Sequence, residues 1–372
     1  MLNQYNIMQL GLVLLILLPI VGFILTIQLK NRDEKKVASI FNISIIIYLL
    51  LSCFLFISWF FHSANQLYIP VFELYSKNDF QFILAFHYDY ISAIFGLVSS
   101  IILFAVGVFG KFYMHRESGY KRYFATLHLF IFGIHLIYYA GNFETLFIGW
   151  EFIGLCSFLL IAFYRNRYLP VKNAFKILSF YRLADVSLIL AMWILHHLFH
   201  KNFQFSAIEN ITLDIRGSNE NLFLAAIFSV IVAVLLKSAQ FPFFTWLPRA
   251  MEGPTVSSAV FYGAIGSHIG IFLLLKTYPL WVEQYTVKVT LVVVGLLTTV
   301  IANQIARVQS TVKTQIAYAI SSQIGLIIIE IALGLHILAL IHIIGHVFLR
   351  TYQLLVSPSQ LNYLIHSQYF QQ

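Results

Sequence analysis

Residues 236–255 read LKSAQFPFFTWLPRAMEGPT, and this stretch decides how the rest of the chain is interpreted. An uncharged apolar run precedes it, so Lys237 enters where an ammonium group is poorly solvated. A lysine at the centre of a spanning helix costs roughly 2.5–3.5 kcal/mol on membrane-insertion scales. Three prolines, which lack the backbone donor that a helix uses, then interrupt the helix: Pro242, Pro248 and Pro254.

A lysine beside a broken helix is typical of an ion pathway. Non-helical backbone at membrane depth persists only where protein or a water-filled cavity covers it. Transporters with discontinuous helices place their ion sites at such breaks. The alternative is a lysine at a helix end whose ammonium snorkels to the membrane surface. We favour the pathway, and the helix break belongs to the predicted site.

The composition is that of a polytopic membrane protein. Of the 372 residues, 60% are hydrophobic and 10% are charged, and the mean hydropathy is +0.82. Such a chain is expected to lie in the lipid bilayer as spanning helices, because helices satisfy their own backbone groups. The predicted fold class is all-α, with about eleven transmembrane helices and the seventh discontinuous. The predicted spans are 7–29, 40–62, 86–112, 124–141, 145–164, 173–199, 222–240, 257–276, 289–306, 314–333 and 336–356.

Basic residues in the loops predict the orientation in the membrane. The net charge is +8, but the lysines and arginines fall in short loops between apolar runs, which argues against nucleic-acid binding. Fifteen of them lie in the loops of one side and five in those of the other. Because the richer side is normally cytoplasmic, we expect the amino terminus outside and the carboxyl terminus in the cytoplasm.

No motif points to nucleotide, redox or zinc chemistry in this chain. It contains no GxGxxG, Walker or HExxH pattern. Its two cysteines, Cys53 and Cys156, lie 103 residues apart in predicted spans and indicate neither a disulfide framework nor a redox centre. We expect no cofactor or metal in this chain. The first apolar run lacks a basic start and a cleavage site, so we expect a retained helix.

Charged side chains inside the spans are the candidate site residues. Glu151 is isolated in the fifth span, and Lys237 is its expected partner, because pairing offsets the cost of burying a charge. Such a pair could hold or release one proton, and a static structural pair is the alternative. In the sixth span, Arg182 and Asp185 are three residues apart and are expected to form a local, supporting ion pair.

Histidines make up the second part of the predicted pathway. In the last span, His342, His346 and Arg350 are spaced four residues apart, which puts them on one stripe. Two imidazoles in line predict a proton relay, while Arg350, which cannot give up its proton, sets the local field. His268 in the eighth span is either part of this relay or a packed polar group. Glu330 in the tenth span is expected to be an unpaired carboxylate.

Four segments resemble the antiporter-like proton-translocating subunits of respiratory complex I, of the chain 5 type, whose motifs Mrp-type cation/proton antiporters share. The segments are GWEFIGLCSFLLIAFY (149–164), YRLAD (181–185), KSAQFPFFTWLPRAMEGPT (237–255) and AYAISSQIGL (317–326). The resemblance implies that Glu151 and Lys237 form the ion pair of a proton path, which His342 and His346 continue.

The resemblance also implies a domain organisation. Residues 1–85 would supply N-terminal helices and an interfacial loop, and residues 86–372 an antiporter-like translocating domain. We expect an interfacial loop or a short amphipathic helix at 64–85, and the only long polar connection at 200–221. The chain is expected to lack the C-terminal helices of longer homologues, including their second broken helix.

Departures from the complex I pattern narrow the subfamily. Tyr262 stands where that pattern has histidine, Thr311 where it has an acidic residue, and Arg350 where it has lysine. The strings FYGAIGSHIGIFLLLKTYP (261–279) and GHVFLRTYQLLVSPS (345–359) resemble the membrane subunit of the DAB-type inorganic carbon transporter. That resemblance implies a complex of the bacterial cytoplasmic (inner) membrane. Its large peripheral partner would resemble a zinc-dependent carbonic anhydrase, with the zinc in the partner.

Three functions are consistent with these features. The favoured one is the cation-conducting subunit, for H+ or Na+, of an energy-coupled CO2/bicarbonate uptake complex. The alternative is a proton-pumping subunit of an NADH-quinone oxidoreductase or of an Mrp-type antiporter. The third is a scaffold that has lost conduction. The partner that accompanies the chain would distinguish them.

Overall fold

The computed structural model describes residues 2–61, 67–77, 80–200, 202–207 and 219–370, so the predicted connections 64–85 and 200–221 are described in part. Its long helices are α1 (Leu2–Gln28), α2 (Glu34–Phe61), α3 (Tyr90–Tyr113), α4 (Tyr120–Tyr138), α5 (Phe143–Ile161), α6 (Tyr168–Phe199), α7 (Glu220–Lys237), α8 (Thr255–Lys276), α9 (Tyr285–Arg307), α10 (Val312–Ala332) and α11 (His336–Phe370). Strands β1 (Leu67–Lys77) and β2 (Phe80–Tyr88) pair antiparallel. Short helical turns occur at Phe205–Ala207, Trp246–Arg249, Ala250–Glu252 and Tyr278–Trp281.

The described part of the chain has ten helices that are long and apolar enough to cross a membrane. α4 is the long helix outside this count, because two basic residues and two histidines lower its hydropathy. It nevertheless has 19 residues, most of them buried, and it packs against α1, α2 and α5. The turn after it lies beside β2, where Phe86 pairs with Ala140, so α4 returns across the bundle. The predicted multi-span helical fold is confirmed, and α4 is an eleventh long helix in the described bundle.

The stretch expected to be an interfacial loop or a short amphipathic helix forms the β-hairpin instead, so that prediction is wrong. Aromatic and β-branched residues, which favour strands, dominate β1 and β2. The Ala85 N–H donates to Thr145 Oγ1 (3.0 Å), and the Gly141 N–H donates to the Ala85 carbonyl (2.7 Å). The hairpin is therefore fixed to the start of α5. We call this end of the bundle the hairpin end.

The predicted break in the seventh helix is confirmed. α7 ends at Lys237, residues 238–245 are non-helical, and a short helix follows at Trp246–Arg249. The three prolines lie in the non-helical stretch, in the short helix and directly before α8: Pro242, Pro248 and Pro254. α8 is itself irregular, and this irregularity lies next to the site described below.

Candidate functional site

Lys237 is the last residue of α7, and it is 1% exposed. Its ammonium lies over the rings of Tyr181 and Trp150, with Nζ 4.2 and 4.6 Å from the two ring centroids. It also donates to the Trp150 carbonyl at 3.4 Å, which is long for a hydrogen bond. We call the two rings the aromatic cage. The contacts that the structure shows for this ammonium are thus cation–π contacts and one weak hydrogen bond.

Other parts of the protein cover the non-helical backbone after Lys237. Trp246 Nε1 donates at 2.9 Å to the carbonyl of Leu236, which the end of α7 leaves without a helical partner. The Phe241 N–H donates at 2.9 Å to Thr298 Oγ1 in α9. The broken helix is therefore satisfied by neighbouring side chains, as membrane depth requires.

Glu151 is paired with Arg182 and not with Lys237. Arg182 Nη2 lies 2.6 Å from Glu151 Oε2, and Arg182 Nε lies 2.9 Å from Asp185 Oδ2. The predicted local pair of Arg182 and Asp185 is confirmed, and the predicted direct contact of Glu151 with Lys237 is wrong. Trp150 contacts both Asp185 and Lys237. Its Nε1 donates to Asp185 Oδ1 at 2.9 Å, while its ring and carbonyl face Lys237.

The Glu151–Arg182 pair is partly exposed although it lies in spanning helices. The Arg182 side chain is 50% exposed and that of Glu151 is 31% exposed. A Cβ atom on Gly154 would lie 3.8 Å from both Arg182 Nη2 and Lys237 Nζ. The two cations therefore border the same small space. With Asp185, the cluster contains two cationic and two acidic side chains, so it is neutral as a whole.

An irregular stretch of α8 connects the aromatic cage with a group of histidines. Trp246 packs on Tyr181 and on Tyr262, with ring centroids 5.3 and 6.1 Å apart. The carbonyl of Tyr262 accepts a hydrogen bond from Ser267 Oγ at 2.9 Å. The segment Ala259–Ala264 forms a π-helical turn, a form that is frequent at functional sites. Tyr262 thus contacts Trp246, which packs on Tyr181 of the aromatic cage, and Ser267, which contacts His268.

His268 lies within hydrogen-bonding distance of the predicted relay on α11. Its Nε2 lies 3.1 Å from His346 Nδ1, and its Nδ1 lies 3.2 Å from Ser267 Oγ. Arg350 Nε donates to His346 Nε2 at 3.2 Å. Because arginine can only donate, the proton of His346 is assigned to Nδ1, and that of His268 likewise to Nδ1. Each group then donates to the next, from Arg350 towards Ser267. We call His268, His342 and His346 the histidine row.

Glu330 is paired, so the expectation of an unpaired carboxylate is wrong. Its Oε1 lies 2.9 Å from His342 Nδ1, and Gln323 Oε1 lies 3.1 Å from His342 Nε2. Gln323 and Glu330 are seven residues apart, so both lie on the face of α10 that meets α11. The rings of His342 and His346 have their centroids 6.3 Å apart. The predicted stripe on α11 therefore has partners from both α8 and α10.

A second buried ion pair lies at the hairpin end. Lys276 Nζ is 2.8 Å from Asp89 Oδ1, and the two side chains are 2% and 10% exposed. Asp89 also caps α3 by accepting from the Ser92 N–H at 2.9 Å. Burial alone would raise the pKa of Asp89, but the Lys276 ammonium holds it below its ordinary value. Burial, followed by the Lys276 charge, lowers the pKa of His87 to about 4.

Comparison with known protein families identifies the chain. The family model described as "NADH:quinone oxidoreductase/Mrp antiporter, TM" matches residues 140–372. The chain belongs to the NADH:quinone oxidoreductase/Mrp antiporter family. A second family model, "NADH-Ubiquinone oxidoreductase (complex I), chain 5 N-terminus", matches residues 75–124. The predicted resemblance to antiporter-like subunits of complex I and Mrp type is confirmed, while the closer likeness to an inorganic carbon transporter stays a prediction.

Proteins of this family are similar over most of the chain. The NADH-quinone oxidoreductase subunit L of Escherichia coli (strain K12) is 31% identical over 362 residues, which cover 96% of this chain and 58% of that protein. The NADH-ubiquinone oxidoreductase chain 5 of Mus musculus is 32% identical over 309 residues, which cover 83% of this chain and 49% of that protein. The chain therefore spans about half the length of the curated relatives it matches.

A solved structure shares the fold. It is titled "Structure of Mrp complex from Dietzia sp. DQ12-45-1b", and its TM-score with this chain is 0.77. The match covers 93% of this chain and 37% of that chain, at 22% sequence identity. At this identity the likeness shows the antiporter-like architecture, including its many spanning helices.

Proposed function

We propose that the chain transfers cations across the membrane as a subunit of a complex of the complex I/Mrp type. The environment of Lys237 is the observation that supports this most directly. Lys237 is 1% exposed, and its ammonium contacts two aromatic rings and one carbonyl. No described carboxylate lies within ion-pair distance of it, so no single partner charge fixes its protonation state. A buried amine in such surroundings can take up and release a proton.

We infer that the transferred cation is H+ rather than Na+. The proposed path runs from Lys237 to His268 and His346, with Arg350 hydrogen-bonded to His346, and all four side chains present nitrogen atoms. Hard metal cations prefer oxygen ligands, and a permanently charged guanidinium and an ammonium repel them. Imidazole and amine groups, in contrast, bind and release protons in the physiological range or close to it. The chemistry of the row therefore favours proton transfer.

A neighbouring subunit is proposed to cover Glu151 and Arg182. These side chains are 31% and 50% exposed within spanning helices, and charges at membrane depth normally face protein or a water-filled cavity. The relatives include subunit L of an NADH-quinone oxidoreductase, and the solved structure that shares the fold is that of an Mrp complex. A partner that packs on this face of α5 and α6 would receive or supply the proton at the Glu151–Arg182 pair.

Proton flux in reconstituted vesicles tests the proposed function. The complex purified from its native membranes is reconstituted with a pH-sensitive dye inside, and a potassium diffusion potential drives the flux. We expect H+ uptake by the wild type and none by Lys237→Met. The matched control is Lys288→Met, which removes a lysine near the start of α9. Normal uptake by a folded Lys237→Met protein contradicts the pathway, and Na+ uptake without H+ uptake contradicts the choice of cation.

A role in inorganic carbon uptake is a narrower proposal, which rests on the likeness of residues 261–279 and 345–359 to a carbon-transporter subunit. The curated relatives favour the complex I/Mrp assignment over it. The partner decides between them. A large, zinc-containing, carbonic-anhydrase-like protein that co-purifies with the chain supports the carbon role, whereas oxidoreductase or Mrp subunits support the first proposal. The bacterial relative favours the inner membrane, and we propose the amino terminus outside.

A further inference from the structure

His342 lies between two oxygen acceptors on α10. Glu330 Oε1 is 2.9 Å from its Nδ1, and Gln323 Oε1 is 3.1 Å from its Nε2. A carboxylate oxygen and an amide oxygen accept hydrogen bonds, so both ring nitrogens are assigned protons. The ring is then an imidazolium whose charge the Glu330 carboxylate balances. The His342 and Glu330 side chains are 23% and 18% exposed, whereas His346 is 4% exposed.

His346, one helical turn further along α11, has the opposite protonation state. Its Nε2 accepts from Arg350 Nε, and its Nδ1 donates to His268 Nε2. The His346 ring is therefore neutral, and the lone pair on its Nε2 accepts the hydrogen bond from Arg350 Nε. Arg350 Nη1 also donates to Gln353 Oε1 at 2.7 Å. This second contact gives the guanidinium a partner that it keeps when Nε leaves His346.

We propose that Gln323, Glu330 and His342 form a proton-loading site for the histidine row, and that Arg350 blocks His346 until the guanidinium moves. This inference rests on the proposed function. His342 lies six residues after the start of α11, about 9 Å along the helix from the hairpin end. The site is therefore the end of the row nearest that side. Because Glu330 balances the imidazolium, the site holds a proton without adding net charge inside the membrane.

The transfer from this site conserves one proton at each step. The centroids of the His342 and His346 rings are 6.3 Å apart, a gap that one water molecule can bridge. Once Arg350 Nε leaves His346, His342 gives one of its two ring protons to the bridging water. The same water gives a proton to His346 Nε2, so one N–H bond breaks and one forms. His346 then releases its Nδ1 proton to His268 Nε2. His342 is left neutral beside the Glu330 carboxylate, and a proton from the hairpin end reloads it.

Solid-state 15N NMR of the histidine-labelled complex measures the charge of His342 independently of transport, with the signal assigned by its loss in His342→Gln. We expect two protonated ring nitrogens in the wild type at neutral pH and one in Glu330→Gln. The H+ flux of Glu330→Gln should fall by about tenfold or more, because the ring loses the carboxylate that accepts its Nδ1–H. Glu330→Asp should recover part of the flux. The matched control, Glu283→Gln, removes an exposed carboxylate at the same end and should conduct normally.

The outcomes separate this inference from the proposed function. A neutral His342 in the wild type, or an imidazolium that persists in Glu330→Gln, overturns the loading site. Normal flux in Glu330→Gln while Lys237→Met is inactive also overturns it and leaves the proposed function intact. If the wild-type complex carries no H+, the proposed function fails and the loading site fails with it, whatever charge NMR finds on His342.

Discussion

Two double-mutant cycles can decide which cation is the partner of Glu151. The first combines Glu151→Gln with Arg182→Gln, and the second combines Glu151→Gln with Lys237→Met. At the observed 2.6 Å between Arg182 Nη2 and Glu151 Oε2, Coulomb's law with an effective dielectric constant of about 20 gives about 6 kcal/mol. This is an upper bound, because half of the Arg182 side chain is exposed. Polar pairs in a membrane protein average about 0.6 kcal/mol and reach about 1.7 kcal/mol in such cycles.

We therefore expect a coupling energy of about 1–1.5 kcal/mol for the Arg182 cycle and less than about 0.5 kcal/mol for the Lys237 cycle. The assay is the free energy of unfolding of the purified protein in lipid–detergent micelles, measured for the wild type, each single variant and each double variant. A cycle of Glu151→Gln with Lys288→Met is the additive control. A larger coupling energy of Glu151 with Lys237 than with Arg182 would refute the pairing of Glu151 with Arg182.

Three further variants test other parts of the structure. Gly154→Ala should leave stability nearly unchanged, because its Cβ would meet its neighbours at 3.6–3.8 Å, yet it should reduce H+ flux by filling the space between the two cations. Gly345→Ala, whose Cβ meets nothing within 4 Å, is its control, and equal flux in the two variants counts against this reasoning. Asp89→Asn should lower the free energy of unfolding by about 3–5 kcal/mol, because it leaves Lys276 buried and unpaired. Adding Lys276→Met should recover most of that loss, and additive losses would show that the pair is not coupled. For His87, the folded pKa of about 4 lies below the ordinary value of about 6.5. The unfolded state therefore binds more protons between these values, and stability falls by about 3 kcal/mol as the pH drops from about 6.5 to about 4. His87→Gln should flatten the melting temperature over that range, and an unchanged slope contradicts the assigned shift.

Much of the fold could be predicted because the bilayer imposes a simple pattern. Long apolar runs must form helices, and prolines after Lys237 must break one of them. The i, i+4 spacing on α11 also placed His342, His346 and Arg350 on one stripe without any tertiary information. The motif around Lys237 was specific enough to indicate the family that the comparisons confirm.

The partners of the buried charges could not be predicted in the same way. Glu151 and Lys237 are oppositely charged and lie in neighbouring motifs, but Glu151 pairs with Arg182, and Lys237 lies over the rings of Trp150 and Tyr181. Glu330 looked unpaired because its partner, His342, lies on another helix. These contacts depend on how helices rotate against one another, which apolar periodicity does not determine in a chain that is hydrophobic on most faces.

The hairpin was mispredicted for a different reason. Its residues have mixed polarity, and no clear alternation separates an apolar face from a polar face. The strands are instead fixed by long-range contacts, such as the hydrogen bond between the Ala85 N–H and Thr145 Oγ1. Only the enrichment in aromatic and β-branched residues could have indicated strands in advance.

We propose that Lys237 and the histidine row belong to one proton path. H+ flux through the reconstituted complex carrying His346→Ala tests it most directly. We predict that this variant is as inactive as Lys237→Met and that the double variant is no worse, because either change interrupts the same path. Arg350→Lys should keep at least part of the flux, since lysine preserves the positive charge but lacks the Nε–H that blocks His346. Wild-type flux in a folded His346→Ala protein would contradict the account.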